Sequence, residues 1–353
     1  MRTEIDETRM EELAGKVLGD VAGAMGILLA YIGDQAGVYR ALDESGPVTA
    51  AALAEKLGME PKYIREWLSS NAAGGYVSYD PENETFWLSP EQSLVFAREG
   101  EEGCMQGFFQ SVVGQFETHE EAVDVFRSGR GRPWSGQSPC CVCAVDRFFR
   151  PGYEAHLTQD WIPAIDGLEE KLRAGGRVAD VACGLGTSTI RMAQTYPDST
   201  FHGFDFHEES IATARERAAQ AGVKNVEFHV SKAQDFDGEG FDLACIFDAL
   251  HDMGDPVGAA GHVRETLKDD GVLMLVEPMA GDSLGENLHP MGHLYYGFST
   301  TVCTPCSLSQ EVGLGLGTQA GQKRLTEVLN EAGYTQVRRA AETPTNMILE
   351  ARA

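Results

Sequence analysis

A chain of 353 residues with 42% hydrophobic and 23% charged content is long enough for two domains with separate cores and ordinary for a globular protein. Its net charge of −26 argues against a nucleic-acid partner, whose affinity rests on cations meeting phosphates, and against an anionic membrane surface. No leader pattern opens the sequence, and the apolar stretch 22–32 is shorter than a bilayer span, so the expected location is cytoplasmic. The 8 cysteines read as reduced thiols rather than a disulfide framework.

Residues 1 to about 20 have helical periodicity, with Met10, Leu13, Val17 and Leu18 on one face. The nearly uncharged run Ala22 to Leu42 is expected to be a helix buried in a core or in a dimer interface. Thr49 and Gly58 then bracket a short helix as N-cap and C-terminal stop. A second helix, Glu60 to Ala73, carries Tyr63, Ile64, Trp67 and Leu68 on its apolar side. Two strand-like runs, 75–79 and 85–88, flank the turn Asp80-Pro81-Glu82-Asn83-Glu84. Helix, turn, helix and hairpin resemble a winged helix. Lys62 and Arg65 are balanced by Glu60 and Glu66, and the hairpin tip is acidic, so this module lacks the basic face of a DNA reader.

Residues 91–131 have helical spacing through Phe108, Phe109, Val112, Val113 and Phe116, and the Gly- and Pro-containing segment 129–136 reads as a loop. The aromatic run Arg147 to Tyr153 admits two readings, a cover over a bound cofactor and acceptor or inter-domain core.

The most informative stretch is Val178-Ala179-Asp180-Val181-Ala182-Cys183-Gly184-Leu185-Gly186-Thr187. It passes from an apolar strand through a small-residue turn into a helix, the layout of a ligand site at the carboxyl edge of a parallel sheet. Its spacing differs from the dinucleotide fingerprint and lacks a phosphate-loop lysine. Further strands follow: 199–205 ending in Asp205, 226–230, 241–248 and 271–278, separated by helical segments such as Glu208 to Gly222. A carboxylate ending the second strand suits a ribose diol. After a long insertion, 279–317, come a helix at 322–333 and strands at 337–341 and 346–350.

These landmarks resemble motif I and its companions in class I S-adenosylmethionine (SAM) methyltransferases. The N-terminal module resembles the dimerisation domain of small-molecule O-methyltransferases, and the pair is similar to an uncharacterised bacterial winged-helix methyltransferase group. The resemblance implies an α/β fold: a Rossmann-like domain with a seven-stranded doubly wound sheet at 157–353 and a substrate-covering insertion at 279–317, behind a mainly α winged-helix domain at 1–98 and a helical connector and active-site cover at 99–156. It implies SAM as cofactor, S-adenosylhomocysteine as product, a small-molecule acceptor and a homodimer. Asp180, Ala182, Gly184 and Gly186 would hold the methionine end, Asp205 the ribose, and Ala233 and Gln234 the adenine region, with Phe206 and Phe247 packed on the cofactor. Two positions depart from the family: Ala182 stands where glycine is usual, and Lys232, which accepts no hydrogen bond, where an acid often precedes the adenine contact.

Ala249-Leu250-His251-Asp252-Met253 resembles the His-Asp-Trp element whose histidine is the general base in O-methyltransferases. A histidine titrates near neutrality and suits proton abstraction. A structural cap after the strand is the plainer reading of His251, and Asp252 or Asp255 is the candidate to orient it. His289 and His293 rank behind it as packing or surface residues. No metal site is expected. A second reading uses cysteine thiolates, Cys140, Cys141 and Cys143 or Cys303 and Cys306, to hold a thiol or metalloid acceptor. A third makes the chain a SAM-sensing regulator. Cys183 and Cys245 read as core.

Overall fold

The computed structural model describes residues 5–353, so the first four residues of the expected N-terminal segment lie outside the described residues. The described residues form two compact units, those up to 117 with 139–151, and 118–138 with 152–353.

In the first unit, α1 (Glu7–Gln35) is a single 29-residue helix started by Asp6, whose carboxylate accepts from the Arg9 N–H. This revises the expectation of a charged helix to about residue 20 followed by a separate uncharged one at 22–42, because the apolar positions on both sides of Asp20 join one helix. By length and composition alone α1 is apolar enough to cross a bilayer. Met10, Leu13, Val17, Leu18, Val21 and Met25 are exposed, whereas Ala30 is buried. The chain turns at 36–37 into α2 (Val38–Ser45), so the expected run Ala22 to Leu42 is divided between two helices.

After β1 (Val48–Thr49) come α3 (Ala50–Leu57), capped by the Thr49 hydroxyl, and α4 (Pro61–Ala73). The strands β2 (Ser78–Asp80) and β3 (Thr85–Trp87) complete a small antiparallel sheet of order β1-β3-β2. Helices α3 and α4 with this sheet make the expected winged-helix pattern. Ile64, Trp67 and Leu68 are buried as their spacing predicts, but Tyr63 is 79% exposed and leaves the apolar side. Trp67 donates its indole N–H to the Leu29 carbonyl at 2.8 Å, so α4 lies hard against α1. A Cβ on Gly33 would come within 2.2 Å of the Trp67 ring, which is why glycine stands there.

Helices α5 (Pro90–Phe96) and α6 (Gln106–Glu117) follow, and α8 (Pro139–Gly152) also belongs to this unit. Arg147 of α8 binds both carboxylate oxygens of Asp34, at 2.5 and 2.9 Å, Glu99 at 2.8 Å and the Gln106 amide oxygen at 2.7 Å. One guanidinium thus joins α1, α6, α8 and the loop after α5. Charge-assisted bonds of this kind are the strong ones.

The second unit contains α7 (His119–Ser128), α9 (Leu168–Arg173) and an open sheet. Its strands are β4 (Arg177–Val181), β5 (Thr200–Asp205), β6 (Val226–Val230), β7 (Phe241–Phe247), β8 (Leu267–Pro278), β9 (Gln336–Glu342) and β10 (Asn346–Arg352). The order is β6-β5-β4-β7-β8-β10-β9, with the first five parallel and β10 antiparallel to both neighbours. Every residue of β7 is buried, as a strand covered on both faces requires. The covering helices are α10 (Thr187–Thr195), α11 (Glu208–Ala221), α12 (Pro256–Thr266) and α15 (Gly321–Glu331). The strand order reverses between β4 and β7, which leaves a crevice beyond their carboxyl ends.

The insertion after β8 is ordered into α13 (Pro290–Phe298), a π-type turn at Ser299–Cys303 and α14 (Thr304–Leu308). Much of the insertion is therefore helical, where the sequence shows only a long segment without a recognised element.

Candidate functional site

The loop after β4 has a backbone suited to close approach. Ala182 adopts φ +61°, Gly184 φ +52° and Gly186 φ +77°. A Cβ at Gly186 would meet Phe228 at 2.7 Å and Ala214 at 2.9 Å, whereas one at Gly184 would meet nothing within 4 Å. Gly186 is therefore required by packing, and Gly184 borders open space. Ala182 takes the left-handed conformation that glycine takes without strain, at a cost of about 1 kcal/mol.

Asp180 lies in β4, fully buried. Its Oδ2 accepts from the hydroxyls of Ser188 at 2.7 Å and Thr189 at 2.6 Å, both in the first turn of α10. Its Oδ1 has no partner in the structure. Burial pushes its carboxyl up to about 6. Asp205, at the end of β5, accepts from the Gly184 N–H at 2.9 Å and the His207 N–H at 2.8 Å. Asp180 thus ties β4 to the start of α10 and Asp205 ties the end of β5 to the loop, and each keeps acceptor capacity to spare. Burial also raises the Asp205 carboxyl.

The remaining sequence-derived positions are distributed along the same edge of the sheet. Phe206, next after Asp205, is 50% exposed. Ala233 and Gln234 lie in the turn after β6, Ala233 packed against the main core and Lys232 exposed. Phe247, ending β7, is buried against the Tyr153 ring at 5.3 Å.

His251 lies in a one-turn helix, Leu250–Asp252, directly beyond β7. It is buried. Its Nδ1 is 2.5 Å from Oε2 of Glu277, and its backbone N–H donates to the other Glu277 oxygen at 3.3 Å. On the far side Nε2 is 3.2 Å from Oδ1 of Asp252. Burial opposes the imidazolium, but Glu277 and Asp252 outweigh it and hold His251 well above the ordinary histidine range. Cys303, from the insertion, is the third side chain beside this nitrogen, its thiol pushed up to about 12 by burial and by Asp252.

The sequence reading missed Glu277, which grips the ring, and offered Asp252 or Asp255 in its place. Asp255 caps α12, accepting from the Gly258 N–H at 2.8 Å, and Asp252 faces the opposite nitrogen. The available signal was an acid closing the otherwise apolar run Val272 to Val276. Asp248 was missed too. It has φ +49° at the end of β7, accepts from the Asn346 amide at 2.6 Å, and leaves Oδ2 unpaired. Burial and the nearby Glu277 raise its carboxyl well above the usual range.

Of the lesser candidates, His289 caps α13 through Nδ1 at 3.1 Å from the Gly292 nitrogen, and His293 is exposed. All eight cysteines are free; Cys140, Cys141 and Cys143 lie on α8 of the first unit, Cys303 and Cys306 in the second. Cys183 and Cys245 are core residues, as expected.

Residues 172–333 match a family model described as a methyltransferase domain, and residues 23–98 match one described as an Rv2258c-like winged HTH domain. Demethylmenaquinone methyltransferase of Listeria monocytogenes serotype 4a (strain HCC23) is 26% identical over 176 residues, 48% of this chain and 73% of that protein. Alignments with the curated relatives that head the comparison span from 33% to 73% of their length. Among solved structures, the mitomycin 7-O-methyltransferase MmcR superposes with a TM-score of 0.72 at 17% identity, covering 98% of this chain and 100% of that one. Human N-acetylserotonin methyltransferase in complex with SAM superposes with a TM-score of 0.68 at 16% identity, covering 100% and 99%. These likenesses establish the fold of both units.

Proposed function

We propose, for a chain that carries a methyltransferase domain behind a winged-helix domain, that it transfers the methyl group of SAM to an oxygen of a small molecule, with His251 as general base. The observation that carries this reading is the Glu277–His251 contact at 2.5 Å, beyond the carboxyl end of the strand next to the Asp180 loop. The residues present suit the cofactor. Asp180 keeps an unpaired buried oxygen, Gly184 faces open space, and Asp205 retains acceptor capacity. When bound, SAM supplies an electrophilic methyl group on a sulfonium centre.

Glu277 bonds Nδ1, which leaves Nε2 on the opposite side of the ring, beside Asp252 and Cys303, as the nitrogen that works as base. Nε2 takes the acceptor's hydroxyl proton, which a neutral alcohol or phenol must lose to become a good nucleophile. Glu277 and Asp252 stabilise the resulting imidazolium. Asp180 anchors the start of α10, and Asp205 holds the Gly184 amide, so the loop is fixed before any ligand arrives. The wall of Tyr153 and Phe247 supplies apolar surface beside the reacting centre.

The charge of −26 weighs against a nucleic-acid partner. The exposed apolar side chains of α1 suit a homodimer through the first unit. Transfer of a labelled methyl group to a panel of phenols, alcohols, thiols and arsenite tests the reaction. Label on oxygen, reduced by about 10²–10⁴ in His251→Ala, is the expected result. Label on sulfur or arsenic, retained in that variant, would replace the oxygen acceptor with a soft one.

A further inference from the structure

We propose that Nε2 of His251, a carboxylate oxygen of Asp252 and the Cys303 sulfur form a binding site for a divalent metal ion of the zinc class. The donor atoms of these three residues all lie within 4.8 Å of one another, and the imidazole and carboxylate members are 3.2 Å apart. Tetrahedral zinc with bonds of about 2.0–2.3 Å separates its donors by roughly 3.3–3.8 Å, so the cluster closes on an ion with small side-chain movements. Nitrogen, sulfur and oxygen donors together favour a borderline-soft ion over magnesium or calcium. Two independent features point the same way. Oδ1 of Asp252 is buried, and the groups beside it are the other two candidate ligands, Nε2 of His251 at 3.2 Å and the Cys303 thiol. Nδ1 of His251 is held by Glu277, the carboxylate–histidine arrangement that orients a metal-ligating imidazole.

All three donors come from segments with little freedom to retreat. His251 and Asp252 share one turn of helix after β7, and Cys303 ends the π-type turn between α13 and α14. Binding displaces the thiol proton of Cys303 and any proton on Nε2 to solvent, with no change of oxidation state. Three protein ligands leave a fourth position for water or an acceptor atom. The ion and the acceptor's proton compete for one lone pair, so metal occupancy switches the base off. That consequence rests on the proposed role of His251; the binding itself does not.

The test is a titration of the chelator-stripped full chain with cobalt and with zinc. It is run in a His229→Ala background, because His202, Glu227 and His229 form a second cluster of ligand type on β5 and β6. A near-ultraviolet thiolate-to-cobalt band and one equivalent of zinc are expected, lost or weakened at least about tenfold in Cys303→Ser and in Asp252→Asn. Both should be retained in Cys143→Ser, which removes an exposed thiol of the first unit. Two substitutions are read so that a folding defect in one, checked by thermal melting, leaves the other decisive. No band in the parent, or a band indifferent to both substitutions, overturns the site. A band without methyl transfer to any acceptor would leave the metal site standing and remove the base reading. Zinc inhibition that disappears in Cys303→Ser would join the two.

Discussion

Replacing Glu277 by glutamine keeps the side chain's shape and removes its charge, and the effect on His251 has a definite sign. The carboxylate is 2.5 Å from Nδ1 and favours the protonated ring. A hydrogen bond to a charged group contributes about 1.5–3 kcal/mol, and one pKa unit is about 1.4 kcal/mol. The midpoint of His251 should therefore fall by about one to two units. A base works only when neutral, so the rate in the native enzyme rises with pH through a midpoint above the ordinary histidine range. In Glu277→Gln that rising limb moves toward acid while the plateau drops, because an amide can present either its oxygen or its NH2 to Nδ1 and no longer enforces one tautomer. The assay is kcat/KM for methyl transfer from about pH 5 to about pH 10, which reports groups of the free enzyme. A midpoint that stays in place, or moves up, would refute the assignment of Glu277 as the group that charges and orients His251. The raised pKa also makes His251 a stabilising group at low pH. The folded state binds its proton more tightly than the unfolded chain, and that contribution fades as pH rises from about 6.5 through the folded midpoint.

The same linkage applies to Asp180 with the same sign. Its carboxyl, pushed up to about 6 from 3.8, makes its ionisation cost on the order of 3 kcal/mol at neutral pH. Stability should fall as pH rises through about 6; in Asp180→Asn that fall disappears and the neutral-pH protein gains stability while SAM affinity drops. Urea denaturation at two pH values with calorimetric SAM titration checks both, and an unchanged stability would contradict the burial argument. Gly186→Ala combines left-handed strain with the 2.7 Å approach to Phe228 and should cost about 2–5 kcal/mol in urea denaturation. Leu18→Glu, on the exposed apolar side of α1, should convert a dimer to a monomer in light scattering; a wild-type monomer would remove the dimer proposal.

The sheet and the site were not equally legible. The strands of the parallel sheet announce themselves because burial on both faces demands continuous apolar runs, and β7 obeys this over its whole length. The loop from Ala182 to Gly186 was readable because few residues tolerate its backbone. Glu277 was hidden because its partner is 26 residues away in sequence, and an acid at a strand end carries no mark of what it touches. Tyr63 shows the limit of periodicity, sharing a helix face with Trp67 without sharing its burial. The insertion hid its helices because Ser299–Cys303, a run of serine, threonines, valine and cysteine, lacks the residues that favour helix and closes a π-type turn.

The placement of α8 governs how this chain emerges and how it can be divided. The polypeptide leaves the first unit at 117, returns to it at 139 and departs again at 151. The first unit therefore cannot be completed on the ribosome until Arg147 has cleared the exit tunnel and reached Asp34. By then the α7 segment of the second unit is already outside, waiting for strands not yet synthesised. No single cut yields both units whole. One placed after 117 strips the first unit of the helix that bears Arg147, and one placed after 151 leaves it carrying a stretch whose own fold lies on the other fragment. Limited proteolysis should accordingly release fragments that stay associated rather than two free domains.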